Sequence, residues 1–278
     1  IDASDRLGTA VDLVGDVTGD NISDYCVGSD SAGFGAAVGT GRAYVYSGAG
    51  CLVGGTVAPV RTLLPSGSAA RFGQFFIDGE GDVDNDGVPD IYVSDYNANK
   101  AYVFSGATGA IFRTFTGTGG FGIGRIAGDV DQDGWSDMLL AAWISPTGGN
   151  QAGRAFVYSG RTGALMQSYT HNVPFAQLGF DANSMGDVNG DGRIDHLLTA
   201  ANDSSGRGRC YLVAGNVVTF ATADIDLDGD VDEDDISAFT SALIGTPIPQ
   251  TQLLRSDVNR DRRLDAHDIA PFVDALLH

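Results

Sequence analysis

Short carboxylates recur along this chain at the spacing of a cation cage. Four ten-residue stretches share one pattern: GDVTGDNISD (Gly15–Asp24), GDVDNDGVPD (Gly81–Asp90), GDVDQDGWSD (Gly128–Asp137) and GDVNGDGRID (Gly186–Asp195). With the first Asp as position 1, side-chain oxygens fall at positions 1, 3, 5 and 9. They belong to Asp16, Thr18, Asp20 and Asp24; to Asp82, Asp84, Asp86 and Asp90; to Asp129, Asp131, Asp133 and Asp137; and to Asp187, Asn189, Asp191 and Asp195. Position 7 adds a backbone carbonyl, from Ile22, Val88, Trp135 or Arg193. An all-oxygen set of this density in an irregular loop suits calcium better than magnesium, which demands a near-ideal octahedron. Gly87, Gly134 and Gly192 stand at position 6, where the chain must turn sharply. Asn21 replaces Gly in the first loop, which is therefore expected to bind more weakly.

Position 12 of these loops is apolar (Val27, Val93, Leu140, Leu198), so no bidentate acid closes them and water is expected to complete the shell. Two loops near the C-terminus differ at that position. In Asp224–Asp235 the expected ligands are Asp224, Asp226, Asp228, Asp230 through its backbone, Asp232 and Asp235, with Gly229 at the turn. In Asp257–Asp268 they are Asp257, Asn259, Asp261, Arg263 through its backbone, Asp265 and Asp268. Arg262 occupies the second turn, where a left-handed non-Gly residue costs about 1–2 kcal/mol. Up to six calcium sites are thus expected, weakest at the first repeat loop and at this last one.

The segments between loops must hold the cages in place, and they read as strands. YCVGS, IYVSD, MLLAA and HLLTA follow the four repeat loops, and AYVYS, AYVFS, AFVYS and CYLVA come next. Their aromatic and β-branched content favours a pleated, half-buried surface. SGATG and SGRTG read as hairpin turns, after which IFRTFTG and LMQSYTH lead out. Each repeat opens on a bulky residue and a glycine: Leu7-Gly8, Phe72-Gly73, Phe121-Gly122 and Leu178-Gly179. About four short strands per repeat is the size of one propeller blade. Near residue 222 the pattern turns helical, with Ile236, Phe239 and Leu243 on one face, Gly245 as a stop, and then Ile269, Phe272 and Leu276. The expected division is residues 1–221 as a mainly β repeat domain and 222–278 as a small helical calcium-binding domain.

The pairing of Phe-Gly, GDVDxDGxxD and a VYSG strand resembles the FG-GAP repeats of integrin alpha-subunit β-propellers over roughly residues 7–220. That resemblance implies a propeller with calcium held in loops on one face, for rigidity more than catalysis. The integrin-like ring has seven blades and four repeats are present here. A small ring, an open arc, a fragment and a half-ring completed by a second chain all remain open. Residues 222–278 look like a type I dockerin, a tandem loop–helix module with Asp at position 12. The resemblance implies a cohesin-like protein partner, met through positions 10 and 11, here Glu233-Asp234 and Ala266-His267. The same segment also reads as a cap on the propeller with no partner.

Composition sets outer limits. Thirty-six acidic against sixteen basic residues leave −20, and among the acids only Glu80 and Glu233 are not Asp. Such acidity argues against nucleic acid and anionic membranes as partners, and no apolar run is long enough to span a bilayer. Six calcium ions would offset more than half of the −20. Modest sites of this kind fill in extracellular calcium, so a secreted or cell-surface location is expected. A chain that opens on Ile1 reads as a mature product or a fragment. Cys26, Cys51 and Cys210 have no metal-ligand spacing and read as ordinary thiols, with one disulfide as the alternative.

No zinc, P-loop or nucleophile-elbow pattern appears, and His171, His196, His267 and His278 read as structural or surface residues. The expected role is calcium-dependent protein–protein or cell-surface assembly without catalysis. A carbohydrate-binding propeller is one alternative, with Tyr96 and Trp143 as sugar-stacking residues. An enzyme of polysaccharide or phosphoester breakdown is another, with Arg6, Arg71 and Arg125 lining a funnel.

Overall fold

A computed structural model describes residues 5–31, 40–53, 56–215, 223, 225, 231–246, 252, 256, 258 and 264–277. The chain divides into two compact units, the larger holding all the sheets and the smaller including Val217–His278.

The aromatic and β-branched runs form four antiparallel sheets in sequence order. The first is β1 (Leu7–Gly15), β2 (Asp24–Ser29), β3 (Arg42–Tyr46) and β4 (Arg61–Leu63). The second is β5 (Ile77–Gly81), β6 (Asp90–Asp95), β7 (Lys100–Phe104) and β8 (Ile111–Thr116). The third is β9 (Phe121–Gly128), β10 (Asp137–Ala142), β11 (Arg154–Tyr158) and β12 (Leu165–Thr170). The fourth has, among the described residues, β13 (Leu178–Gly186), β14 (Asp195–Ala200) and β15 (Arg209–Val213). These are propeller-like blades, each a meander whose acidic loop joins its first two strands. The hairpin expected after the third strand forms in the second and third blades, where Ser105 and Ser159 donate backbone N–H bonds to Ala110 and Ala164. In the first blade a short helix, Gly48–Val53, takes its place.

The core lies between blades rather than within one. Cys26, Ala43, Val45 and Leu63 of the first blade share a cluster with Phe72, Ile77, Ile91, Val93, Tyr102 and Phe104 of the second. Tyr92, Ala101, Val103 and Phe115 likewise meet Phe121, Ile126, Met138, Leu140 and Ala142 of the third. Strand β5 packs on β1 and β2, β9 on β5 to β8, and β13 on β9 to β11. Strands β13 and β1 make no comparable contact, and the described sheets do not close on themselves.

The Phe-Gly pairs are the seats of this stacking. Phe72, Phe121 and Leu178 are buried, and the glycine after each lies against the preceding blade. A Cβ added to Gly122 would lie 2.1 Å from the Lys100 carbonyl oxygen, at a φ of +113°. Gly73 sits against the Arg42 carbonyl, and Gly179 against Ala141 and the Arg154 carbonyl. Gly8 has a φ of +95° but no atom within 4 Å of such a Cβ.

In the smaller unit the helices Asp235–Leu243 and Ile269–Leu276 form where the apolar spacing places them. Phe239 and Phe272 stack with ring centroids 4.0 Å apart over a core that includes Ala223 and Ile225. Gly245, at a φ of 74°, ends the first helix as expected, its N–H bonded to Ala242.

Gly122→Ala meets both strain and a backbone clash and should lower stability by about 2–4 kcal/mol. Gly8→Ala meets only strain and should cost about 1 kcal/mol. Urea denaturation of the two variants checks the difference; equal losses would contradict the tight seating of one blade on the next.

Candidate functional site

Each repeat loop starts from one first-strand glycine and returns at the Asp that opens the second strand. Gly87, Gly134 and Gly192 take φ values of 87°, 88° and 82°, and Asn21 takes 65°, as the turn at position 6 requires. Position 4 is also left-handed, in Gly19, Asn85, Gln132 and Gly190. Sequence reasoning passed over that position, although its small and amide residue types carry the signal.

The carboxylates at position 1 bind the loop's own backbone. Asp16 accepts N–H bonds from Gly19, Asp20 and Asn21 at 2.7, 3.1 and 2.6 Å. Asp187 accepts from Gly190, Asp191 and Gly192, and Asp82 from Asp86 and Gly87. At position 5, Asp20, Asp86 and Asp191 each accept the N–H of the position-7 residue, Ile22, Val88 and Arg193. Thr18 donates its hydroxyl to Asp24 at 3.3 Å. In the third loop Asp131 accepts the N–H of Asp133 at 3.3 Å, and Trp135 supplies position 7.

Position 9 has a separate and more demanding task. One oxygen of Asp90 accepts the N–H groups of Val83 and Asp84 at 2.7 and 2.9 Å, and the other accepts that of Gly106 at 2.9 Å. Asp24 does the same with Val17, Thr18 and Gly48, and Asp195 with Val188, Asn189 and Gly215. Asp137 holds Val130 and Gly160. All four side chains are buried, so each carboxylate staples its loop to the glycine two residues past the third strand.

Two groups converge. Carboxylate oxygens of Asp82, Asp84 and Asp86 all lie within 4.8 Å of one another, and so do those of Asp129, Asp131 and Asp137. Oxygens on opposite sides of one calcium ion lie about 4.6–5.2 Å apart, so both donor sets fit a hard cation of that size. In the fourth loop Asn189 turns its amide toward Asp191 and Asp195, at 3.1 and 3.4 Å, which partly satisfies those carboxylates without an ion. Of the C-terminal ligands, Asp224, Asp226, Asp228, Asp230, Asp257, Asn259, Asp261 and Arg263 lie outside the described residues. Asp235 accepts the N–H groups of Ile225 and Asp232. Asp265 and Asp268 form a reciprocal capping box.

The other residues singled out in the sequence fall as follows. Arg6 and Arg71 both approach the buried Asp30, at 3.4 and 3.6 Å, and Arg125 pairs with Asp181 at 3.5 Å. Burial presses His196 down to about 4, so its ring is neutral; its Nδ1 lies 3.1 Å from the Ser184 hydroxyl. Cys26 and Cys210 are free thiols, and burial pushes Cys26 up to about 12. Tyr96 and Trp143 share a pocket of about 320 Å³ with Phe75, Phe76, Ile123 and Phe180. Phe75 is 60% exposed at a φ of 64°, a strained conformation for an aromatic residue that costs about 1–3 kcal/mol. Only Tyr96 and Trp143 of this set were marked by the sequence.

Residues 82–140, which span the second and third acidic loops, match the family described as FG-GAP-like repeat. Among solved structures the chain is similar to the crystal structure of BBS1N in complex with ARL6DN, soaked with mercury, at 17% identity and a TM-score of 0.44. The lead-soaked form of that complex is similar at 15% identity and a TM-score of 0.44. Each match covers 75% of this chain and 52% of the other, about half its length. No curated protein matches this chain.

Two carboxyls titrate far from their ordinary range near 3.8. Burial pushes Asp78 up to about 7, against the opposing pull of the Ile126 N–H and Arg125. Burial also pushes Asp90 up to about 7, opposed by the Gly106 N–H and reinforced by the charge of Asp84. The folded chain therefore holds these protons more tightly than the unfolded chain. Their stabilisation is complete below the unfolded value of 3.8 and is lost as pH rises through 7. In chelator, the urea midpoint should fall between about pH 4 and pH 7, and Asp78→Asn should make that fall shallower. A midpoint that rises over the same interval would contradict this assignment.

Proposed function

We propose that the chain is a calcium-stabilised scaffold for protein–protein or cell-surface assembly in an extracellular setting, with no catalytic activity of its own. The observation that carries this reading is the convergence of Asp82, Asp84 and Asp86, repeated in Asp129, Asp131 and Asp137. Carboxylates this close repel one another, and a divalent cation removes that cost. The four loops join equivalent strands, so ions bound there would stiffen matching corners of an FG-GAP propeller-like array. The arginine ion pairs also favour binding over chemistry, because Arg6, Arg71 and Arg125 already face carboxylates. The dockerin-like reading of the C-terminal pair is supported by an apolar groove of about 310 Å³. Its lining includes Ile236, Ile269 and Val273, all exposed, as a surface awaiting a cohesin-like partner would be.

Calorimetric titration with calcium should show several sites, and the ion should raise the melting temperature. At a hundredfold excess over Kd each site contributes about 2.7 kcal/mol. Asp84→Asn and Asp131→Asn should each remove one site from the stoichiometry. Absence of binding heat together with identical melting in calcium and in chelator would sink the proposal.

The aromatic pocket favours a second reading, a carbohydrate-binding propeller. Trp143 meets Phe180 edge-on with centroids 5.5 Å apart, and Phe75 stacks on Tyr96 at 6.5 Å. Partly open aromatic walls of this kind suit the apolar faces of sugar rings. Binding on a glycan array should be lost in Trp143→Ala; an array blank for the intact protein would exclude this reading.

A further inference from the structure

The second and third acidic loops touch, and they touch at their ligands. Ser136, at position 8 of the third loop, donates its N–H to the carbonyl oxygen of Asp82 at 2.9 Å. Asp82 is position 1 of the second loop, and its side chain belongs to the convergent group with Asp84 and Asp86. Ser136 stands between Trp135, whose carbonyl is the position-7 donor, and Asp137, which belongs to the convergent group of the third loop. One backbone hydrogen bond therefore links position 1 of one cage to the segment that carries positions 7 and 9 of the next.

A second bridge is apolar. Val83, next to Asp82, is fully buried, and its N–H is held by Asp90. Its Cγ1 lies 2.9 Å from where a Cβ on Gly160 would stand, and Gly160 donates its N–H to Asp137 at 2.9 Å. Gly81, on the other side of Asp82, is packed as closely: a Cβ there would stand 2.4 Å from Ile126 and 3.1 Å from the Ser136 hydroxyl oxygen. The third blade thus seats both neighbours of Asp82. A shift of Asp82 either carries Ser136 with it or breaks their hydrogen bond.

The first and second loops offer a contrast within the same chain. Position 8 of the second loop is Pro89, whose ring packs on Gly15, 2.7 Å from the place of a Cβ. Proline has no N–H, so this residue has nothing to donate to the Asp16 carbonyl. At this place the two loops share packing without the hydrogen bond.

We propose that calcium binding at the second and third loops is positively coupled, with the bond from Ser136 to Asp82 as the principal link. This rests on the calcium reading given above. Ordering Asp82 around one ion fixes Ser136, and with it Trp135 and Asp137. The next ion then meets a loop whose ordering entropy has already been lost. Repulsion between the two ions opposes the effect and is screened by salt. The coupling is reciprocal, each site gaining from the other by the same factor.

Trp135 makes the third loop separately readable. Of the two tryptophans, it alone remains in a Trp143→Phe background. Terbium, a lanthanide of calcium's size, luminesces when excited through a nearby indole. Terbium titration of the full chain at about 0.15 M salt should give a signal that calcium displaces and Asp129→Asn removes. Asp84→Asn, which disables the second loop, should raise the half-saturation of the third by about fivefold or more. Ser136→Pro, which copies Pro89, should keep the signal and abolish the shift that Asp84→Asn causes. A further readout needs no proline variant: in Asp129→Asn, calcium should still slow amide exchange of the Ser136 segment, because Asp82 holds it. Unchanged half-saturation in Asp84→Asn, with terbium still bound, would overturn the coupling and leave the calcium reading standing. A full shift that persists in Ser136→Pro, or exchange at Ser136 indifferent to calcium in Asp129→Asn, would rule out the hydrogen bond as the link. No luminescence and no binding heat with calcium would overturn the calcium reading itself, and the coupling with it.

Discussion

The buried aspartate that opens the second strand of each blade is the interaction on which the array depends. A carboxylate removed from water must be compensated, and backbone N–H groups compensate all four, joined by the Thr18 hydroxyl at Asp24 and the Asn189 amide at Asp195. Each oxygen has its own role, one holding the entry of the acidic loop and the other the glycine after the third strand. The loop is thereby fixed in a shape that gathers the remaining carboxylates. The same staple fixes the edge on which the next blade rests, since Gly106 lies over Val17 and Gly160 over Val83. The gathering of the loop carboxylates and the stacking of the blades are thus two consequences of one set of hydrogen bonds.

The balance of that staple is local. Asp195 makes the same three bonds as Asp90, yet it is held below the ordinary carboxylate value, chiefly by the Gly215 N–H. Asp90 is deeper and has Asp84 beside it, where the fourth loop has the neutral Asn189. Equivalent loops therefore differ in how well their buried carboxylate is compensated. The second and third loops, with Asp at position 3, gather three carboxylates closely, and the fourth draws in an amide donor instead.

The acidic loops were legible in the sequence because their logic is contained in ten consecutive residues. The staple was not, because its far partner lies 16 to 24 residues downstream and is a glycine otherwise read as a turn. Strand positions were legible from alternation and residue type, and the helical faces from their spacing. The substitution of a helix for the first hairpin was less so, because Gly48–Val53 carries no strong signal of either kind. The aromatic pocket was the least accessible feature. Phe75 and Phe180 stand more than one hundred residues apart, and only the stacking of blades brings them to one place.

Why the chain uses Asp almost to the exclusion of Glu follows from the same geometry. A staple oxygen must reach N–H groups six and seven residues before it in sequence while the side chain stays inside the turn. Position 1 must reach N–H groups three to five residues ahead. Both are distances that one methylene spans. A second methylene would add rotamer entropy to be lost on ordering and would push the carboxylate past its donors into the next blade. The acidity of this protein is therefore a structural property of its loops before it is a property of its surface. A cation that binds there inherits a cage already drawn by the backbone, and the energy of folding has largely been spent on bringing its ligands together.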